Sequence, residues 1–162
     1  MSLQLWLALE PPGLPAGHIT HLFISGKSGM PLREVEQVNA QEGLGFEGCR
    51  HATRRPGGKR QVLLLDGESL HALGLPPGTL KENVLLRGVA LGTLPLGQRL
   101  RLGEEVVVEL VEACVPCWKL EKVRPGLLEE SCGRRGVLAR VLRSGQVEVG
   151  AGVALLDSSA RW

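Results

Sequence analysis

Two of the four cysteines in this 162-residue chain stand three apart in Ala113-Cys114-Val115-Pro116-Cys117-Trp118-Lys119-Leu120. A thiolate ligates soft metals and attacks sulfur donors, and nearby cations favour that ionised form. Lys119 and Lys122 follow Cys117 closely, and a basic loop lies upstream. Position singles out Cys117. It follows Val106-Val107-Val108-Glu109-Leu110-Val111-Glu112, where branching at Cβ stiffens the side chains and favours an extended, buried strand. Pro116 has no backbone N–H, so sheet pairing is expected to stop there and leave Cys117 at the mouth of a sheet. The competing reading is a buried thiol acting as a small hydrophobe. Trp118 reads as an apolar plug beside the site.

Cys114 and Cys117 have the spacing of a redox dithiol or of half a zinc site, although a second Cys-x-x-Cys is absent. Cys49 and His51 are the residues that would complete four zinc ligands, with Cys132 spare. His51 is also a candidate proton donor, because imidazole changes charge near neutrality. Arg50, His51, Arg54, Arg55, Lys59 and Arg60 make a basic segment. It is either a solvated loop or an anion site, in which arginine forks match phosphate oxygens. Gly43, Gly45 and Gly48 just before it allow close backbone approach to a ligand. Gly26-Lys27-Ser28 resembles the end of a phosphate-binding P-loop, but that motif needs glycine where His21 stands.

The elements that must position these groups are short. Alternation of Leu3, Leu5, Leu7 and Leu9 predicts a first strand. Further strands are expected at 18–25, 34–39, 61–66, 84–86, 98–102, 105–112, 137–142, 146–149 and 153–156. A short helix is expected at 68–73, and a helical turn at 127–130. Twenty-two glycines and ten prolines punctuate the chain, which makes it mainly β, a barrel. The length suits one domain, which needs neither disulfide nor metal to fold. Net charge is only +2 and aromatics are 3%, so no nucleic-acid partner is expected. Apolar runs fall short of a membrane span, and the amino terminus shows no basic region ahead of an apolar core. The expected protein is cytoplasmic, with reduced thiols, no membrane association and a small-molecule or cofactor ligand.

Taken in order, several pieces resemble the MOSC domains, named for the carboxy-terminal domain of molybdenum-cofactor sulfurase. They are Gly45-Phe46-Glu47-Gly48-Cys49-Arg50-His51, Arg60-Gln61-Val62, Glu82-Asn83-Val84 before Gly88, Leu96-Gly97 through Leu102-Gly103, Pro116-Cys117, and Arg135-Gly136 through Val141 and Gly145. The resemblance covers roughly residues 18–156 of a single domain. It implies a β-barrel of mixed strands with a few short helices, and a functional cysteine at Cys117. In some members that cysteine ligates the molybdenum of a pterin cofactor, and those members reduce N-hydroxylated compounds. Others are proposed to carry sulfur as a cysteine persulfide. By the same resemblance Gly48, Arg50, Arg60, Gln61, Asn83 and Arg135 would bind the cofactor, with His51 catalytic. An electron-donor or sulfur-donor protein would be the partner. The chain departs from the family pattern at Cys49, where an acid is usual before the histidine, and at Gly150-Ala151, where Gly-Asp is usual. The pyridoxal-phosphate domain of the full sulfurase needs hundreds of further residues and is not expected in these 162.

Overall fold

The computed structural model describes residues 15–26, 31–49, 58 and 60–157. Eleven strands follow one another: β1 (Pro15–Ile24), β2 (Arg33–Val35), β3 (Gln37–Gln41), β4 (Gly45–Phe46), β5 (Val62–Asp66), β6 (Val84–Arg87), β7 (Arg99–Leu102), β8 (Val106–Ala113), β9 (Val137–Arg143), β10 (Gly145–Glu148) and β11 (Gly152–Leu156). Among the described residues two short helices, α1 (Gly67–Ala72) and α2 (Leu127–Glu130), accompany these strands. Seven strands in the order β11-β7-β8-β9-β5-β6-β1 close into a barrel through a β1–β11 pairing, and β2 extends β1. The barrel is mixed: β5 and β6 run parallel, while its other pairings are antiparallel. A smaller sheet, β10-β3-β4, flanks it.

β5 is apolar from Val62 through Leu65 because both of its faces are covered. Val62 and Leu64 join the barrel interior with Leu22, Val84, Leu100, Val108 and Ala139. Leu65 turns outward into a second cluster with Leu70, Leu73, Leu80, Leu85, Leu120 and Leu127. That outer cluster packs α1, α2 and the segment after Cys117 against the wall. α1 starts where Asp66 accepts a hydrogen bond from the Ser69 N–H at 3.0 Å, satisfying one of the free donors of the first turn. It then carries the chain from β5 to its parallel neighbour β6.

The mainly β barrel agrees with the sequence reading, and so do most strand positions. Two details differ. The strand expected at 34–39 is two strands broken at Glu36, one paired with β1 and the other with β10. Continuous alternation does not reveal where a chain changes sheets. Trp118–Lys122 also forms a 3-10 turn, whose i→i+3 geometry leaves no apolar repeat to read. The strand expected over Leu3–Leu9 lies outside the described residues, as do Arg50, His51, Arg54, Arg55 and Lys59. No described helix is long and apolar enough to cross a membrane.

Candidate functional site

β8 leaves the barrel wall where the sequence says it must. Its last ladder pair joins Ala113 to Val137, and one further bond runs from the Cys114 N–H to the Gly136 carbonyl at 2.9 Å. The chain then passes through Pro116, which has no donor to continue the ladder. Cys117 follows, exposed, with extended backbone (φ −109°, ψ 146°), as the residue that caps the 3-10 turn. Its carbonyl accepts from the Leu120 N–H at 2.9 Å. Leu120 is buried in the outer cluster, and the Arg124 guanidinium donates to the Leu73 carbonyl at 2.8 Å and meets Glu130 at 2.7 Å. The thiol therefore stands on a ledge fastened at both ends.

Cationic groups reach the same end of β8. Arg135 precedes Gly136, the residue that receives the last bond from β8. Its Nε and Nη1 are buried and have no hydrogen-bond partner among the described residues. A buried N–H left unpaired costs about 1–3 kcal/mol, and more when the group is charged, so this guanidinium is set up to receive an acceptor. Gly136 lets this segment pass close to β5. Its φ is +96°, and a Cβ there would lie 2.5 Å from the Leu64 carbonyl oxygen. Arg60 stands 3.6 Å from Glu112, near the end of β8, with both side chains largely in solvent. Lys122 places its ammonium 4.9 Å from the centroid of the Trp118 ring.

The remaining candidates form a separate bracket in the wall. The Gln61 side chain donates to the Gly58 carbonyl at 2.6 Å and accepts from the Val141 N–H at 2.9 Å. Asn83 accepts from the Leu63 N–H at 2.9 Å and donates to the Phe23 carbonyl at 3.2 Å. The same amide reaches the buried Cys49 sulfur at 3.7 Å. Gly48 lies in the turn leading to Cys49. The residue after Asn83, Val84, shares a rung with Leu64, Val137 and Ala113. That is three strand spacings, roughly 14 Å, from the point where β8 exits. Arg60 is tied to the last residues of β8 through Glu112 and Arg135 through the Cys114–Gly136 bond, and the chain runs on from there to Cys117, while Gln61, Asn83 and Gly48 lie in the neighbouring wall.

Of the four residues in the zinc reading, His51 lies outside the described residues; among the described ones no group of three or more His, Cys, Asp or Glu is placed to hold a metal ion. Cys114, half-buried, and Cys117, exposed, are both free thiols. Val115, Val123 and Arg124 belong to no motif and become visible only in the fold. For Arg124 the one sequence signal is a cation free to meet helix carbonyls.

A family model described as "MOSC domain" matches residues 51–154. Among solved structures, the chain resembles YuaD from Bacillus subtilis, with a TM-score of 0.71 and 19% identity over 88% of this chain and 97% of that one. It also resembles YiiM from Escherichia coli (TM-score 0.64, 21% identity, 86% of this chain and 70% of that one). YiiM from Geobacillus stearothermophilus is similar too (0.66, 20%, 87% and 75%). No curated protein matches the sequence significantly. At these identities the structural likenesses speak to the fold alone.

Proposed function

The chain belongs to the MOSC domain family, and on that premise we propose that it binds a molybdenum-pterin cofactor through the Cys117 thiolate and reduces N-hydroxylated small molecules. The observation that carries this reading is an exposed thiol just past the end of β8, together with two buried, unpaired guanidinium nitrogens of Arg135 beside Gly136, which receives the last bond from that strand. The donor set fits the group. A thiolate is a soft ligand suited to such a metal, and Arg135 offers two directed N–H groups to the phosphate of a pterin cofactor. Arg60, 3.6 Å from Glu112 near the end of β8 and largely in solvent, is a second candidate cation.

When bound, such a cofactor supplies a metal centre able to change oxidation state, as removal of oxygen from N–OH requires. Conversion of N–OH to N–H consumes two electrons and two protons and releases one water. The chain contributes the ligand atom, the anion contacts and a proton source. His51 is the candidate donor, its imidazole able to exchange a proton near neutral pH. Gln61 and Asn83, committed to the wall by their hydrogen bonds, would act by holding the backbone behind the site, with Gly48 and Arg50 as the loop candidates for cofactor contact. Pro116 and the Arg124 anchor hold the thiol in place, so no loop closure is needed to present it.

A second reading draws on the openness of the ledge. Exposed as it is, Cys117 also suits a sulfur carrier, holding a persulfide and passing it to a metal–sulfur centre on another protein. One set of measurements separates the two. The purified protein and its Cys117→Ser variant are assayed for molybdenum, pterin fluorescence and cyanide-labile sulfur. Molybdenum and pterin present in the parent and lost in the variant support the cofactor reading. Labile sulfur without either supports the carrier, and a parent with none of the three overturns both. Arg135→Gln is expected to weaken cofactor retention about tenfold, as loss of a charge-assisted contact does.

A further inference from the structure

Charge is unevenly shared out along the chain that follows the Cys117 sulfur. Lys119 comes two residues after the thiol, so their Cα atoms are at most about 7 Å apart. Lys122 ends the same 3-10 turn, where a rise of about 2 Å per residue keeps its backbone roughly 10 Å from Cys117. Its ammonium lies 4.9 Å from the centroid of the Trp118 ring, the residue next to the thiol, and that contact restrains the charge. Both lysines are exposed, and neither forms an ion pair with a described residue.

The acids of this region are drawn elsewhere. Glu112, near the end of β8, faces Arg60 at 3.6 Å. Glu121 turns toward the start of α2, where it accepts from the Gly126 N–H at 2.6 Å. α2 shares the outer cluster with the turn through Leu127 and Leu120, and it carries two further acids. Glu130 is taken by Arg124 at 2.7 Å, which leaves Glu129. Negative charge is thus held on the α2 side, while the two ammonium groups stay close in sequence to Cys117. The reach of the charges is what counts. A unit charge about 10 Å away in water attracts an anion weakly, but two of them together raise its local concentration about fourfold without touching it.

We propose that Lys119 and Lys122 set the charge preference of the site, which takes N-hydroxylated molecules that also carry a carboxylate or similar anionic group ahead of neutral or cationic ones. This rests on the reduction reading above. The same ammonium groups favour the thiolate form of Cys117, but that effect speeds every reagent alike. Only selection by charge changes the ratio between an anionic and a neutral reagent.

Iodoacetate, an anion, and iodoacetamide, its neutral counterpart, provide the matched pair. Each loses iodide as its carbon bonds to sulfur. Rates at Cys117 are read by peptide mass spectrometry on the full chain at low salt, in protein produced without molybdenum so that the sulfur is free. In the double variant Lys119→Gln/Lys122→Gln the iodoacetate-to-iodoacetamide ratio should fall about fourfold. The difference should vanish near 1 M salt, where the screening length is about 3 Å. Arg143→Gln removes a cation opposite Val107, six residues and roughly 20 Å back along β8 from Ala113, and should leave the ratio unchanged. Circular dichroism confirms that each variant is folded. A ratio that the lysine variant leaves intact, or that Arg143→Gln moves as far, overturns the proposal. With molybdenum-loaded protein, kcat/KM for 4-carboxy-N-hydroxybenzamide should exceed that for N-hydroxybenzamide, and the lysine variant should lose the excess. An advantage for the neutral compound also overturns the proposal. The alkylation pattern in a chain that never retains molybdenum removes the reduction reading and keeps the anion preference of the thiol. Molybdenum with an unmoved ratio removes the anion preference alone.

Discussion

Asn83 has both polar atoms of its amide committed to the wall, where they satisfy Leu63, Phe23 and the Cys49 sulfur. Asn83→Ala leaves a buried N–H and a buried carbonyl short of partners, and is expected to cost about 2–4 kcal/mol in urea unfolding. If the amide also meets a bound cofactor, molybdenum per folded molecule falls as well; a loss of stability alone assigns Asn83 to the wall. Cys49 makes a related point. It stands where the family usually has an acid, yet it lies among the apolar side chains of the barrel interior. In Cys49→Asp, burial would raise the carboxyl pKa above its unfolded value of about 3.9. Below that pH both states are neutral and the penalty is smallest. Above it the unfolded state ionises first, so the folded state binds more protons. Stability then falls by about 1.4 kcal/mol per pH unit until the folded pKa is reached. The variant should therefore lose more stability against the parent at pH 7 than at pH 5. An equal loss at both would show that water or a cation reaches position 49. Of these residue roles, the exposure of Cys117 was readable, because Pro116 ends pairing by chemistry alone. The engagement of Asn83 was not, since its partners lie 20 and 60 positions away.

At the scale of elements, the strands were legible because apolar runs and glycine punctuation mark them directly. The ledge was not. The turn Trp118–Lys122 exists because Leu120 finds the outer cluster, and that cluster is assembled from α1, β5, β6 and α2. Nothing local announces it. What fixes the ledge to the barrel is the close approach of β8, β9 and β5 around Gly136. A Cβ at this position would meet the Leu64 carbonyl at 2.5 Å, in a backbone conformation that disfavours any side chain. Gly136→Ala is therefore expected to destabilise by about 2–4 kcal/mol in denaturant unfolding. It should also loosen the bond from Cys114 to Gly136 before it disturbs the far end of β8. Amide exchange at Cys114 that outpaces exchange at Val108 would show this order; equal acceleration would mean that the ledge has no separate anchorage.

The molecule as a whole depends on a seam between residues near the two ends of the described chain. Pro15 pairs with Ala154 and His18 with Gly152, so closure waits on contacts well over 100 positions apart in sequence. β1 has to serve β11 and β6 together, and Gly17 is where it does so most tightly. A Cβ at Gly17 would fall 2.0 Å from the Arg87 carbonyl oxygen, a backbone atom that cannot swing aside. Gly17 itself pairs with Val153, and its neighbour His18 pairs with both Arg87 and Gly152. In Gly17→Ala the first strand must retreat from β6, and its hold on β11 is strained by the same movement. Native-state hydrogen exchange gives the measurement. The Ile19 amide, bonded to the Ala151 carbonyl at 2.9 Å, and the Gly150 amide, bonded to the Ile19 carbonyl at 2.8 Å, report the seam. Their opening free energies should drop by about 2–4 kcal/mol, while the β8 and β9 amides that support Cys117 drop less. On the proposed cofactor reading, molybdenum content should then survive a change that opens the barrel on its opposite side. If every amide drops by the same amount, the barrel opens only as one unit, and the thiol ledge cannot be more durable than the seam.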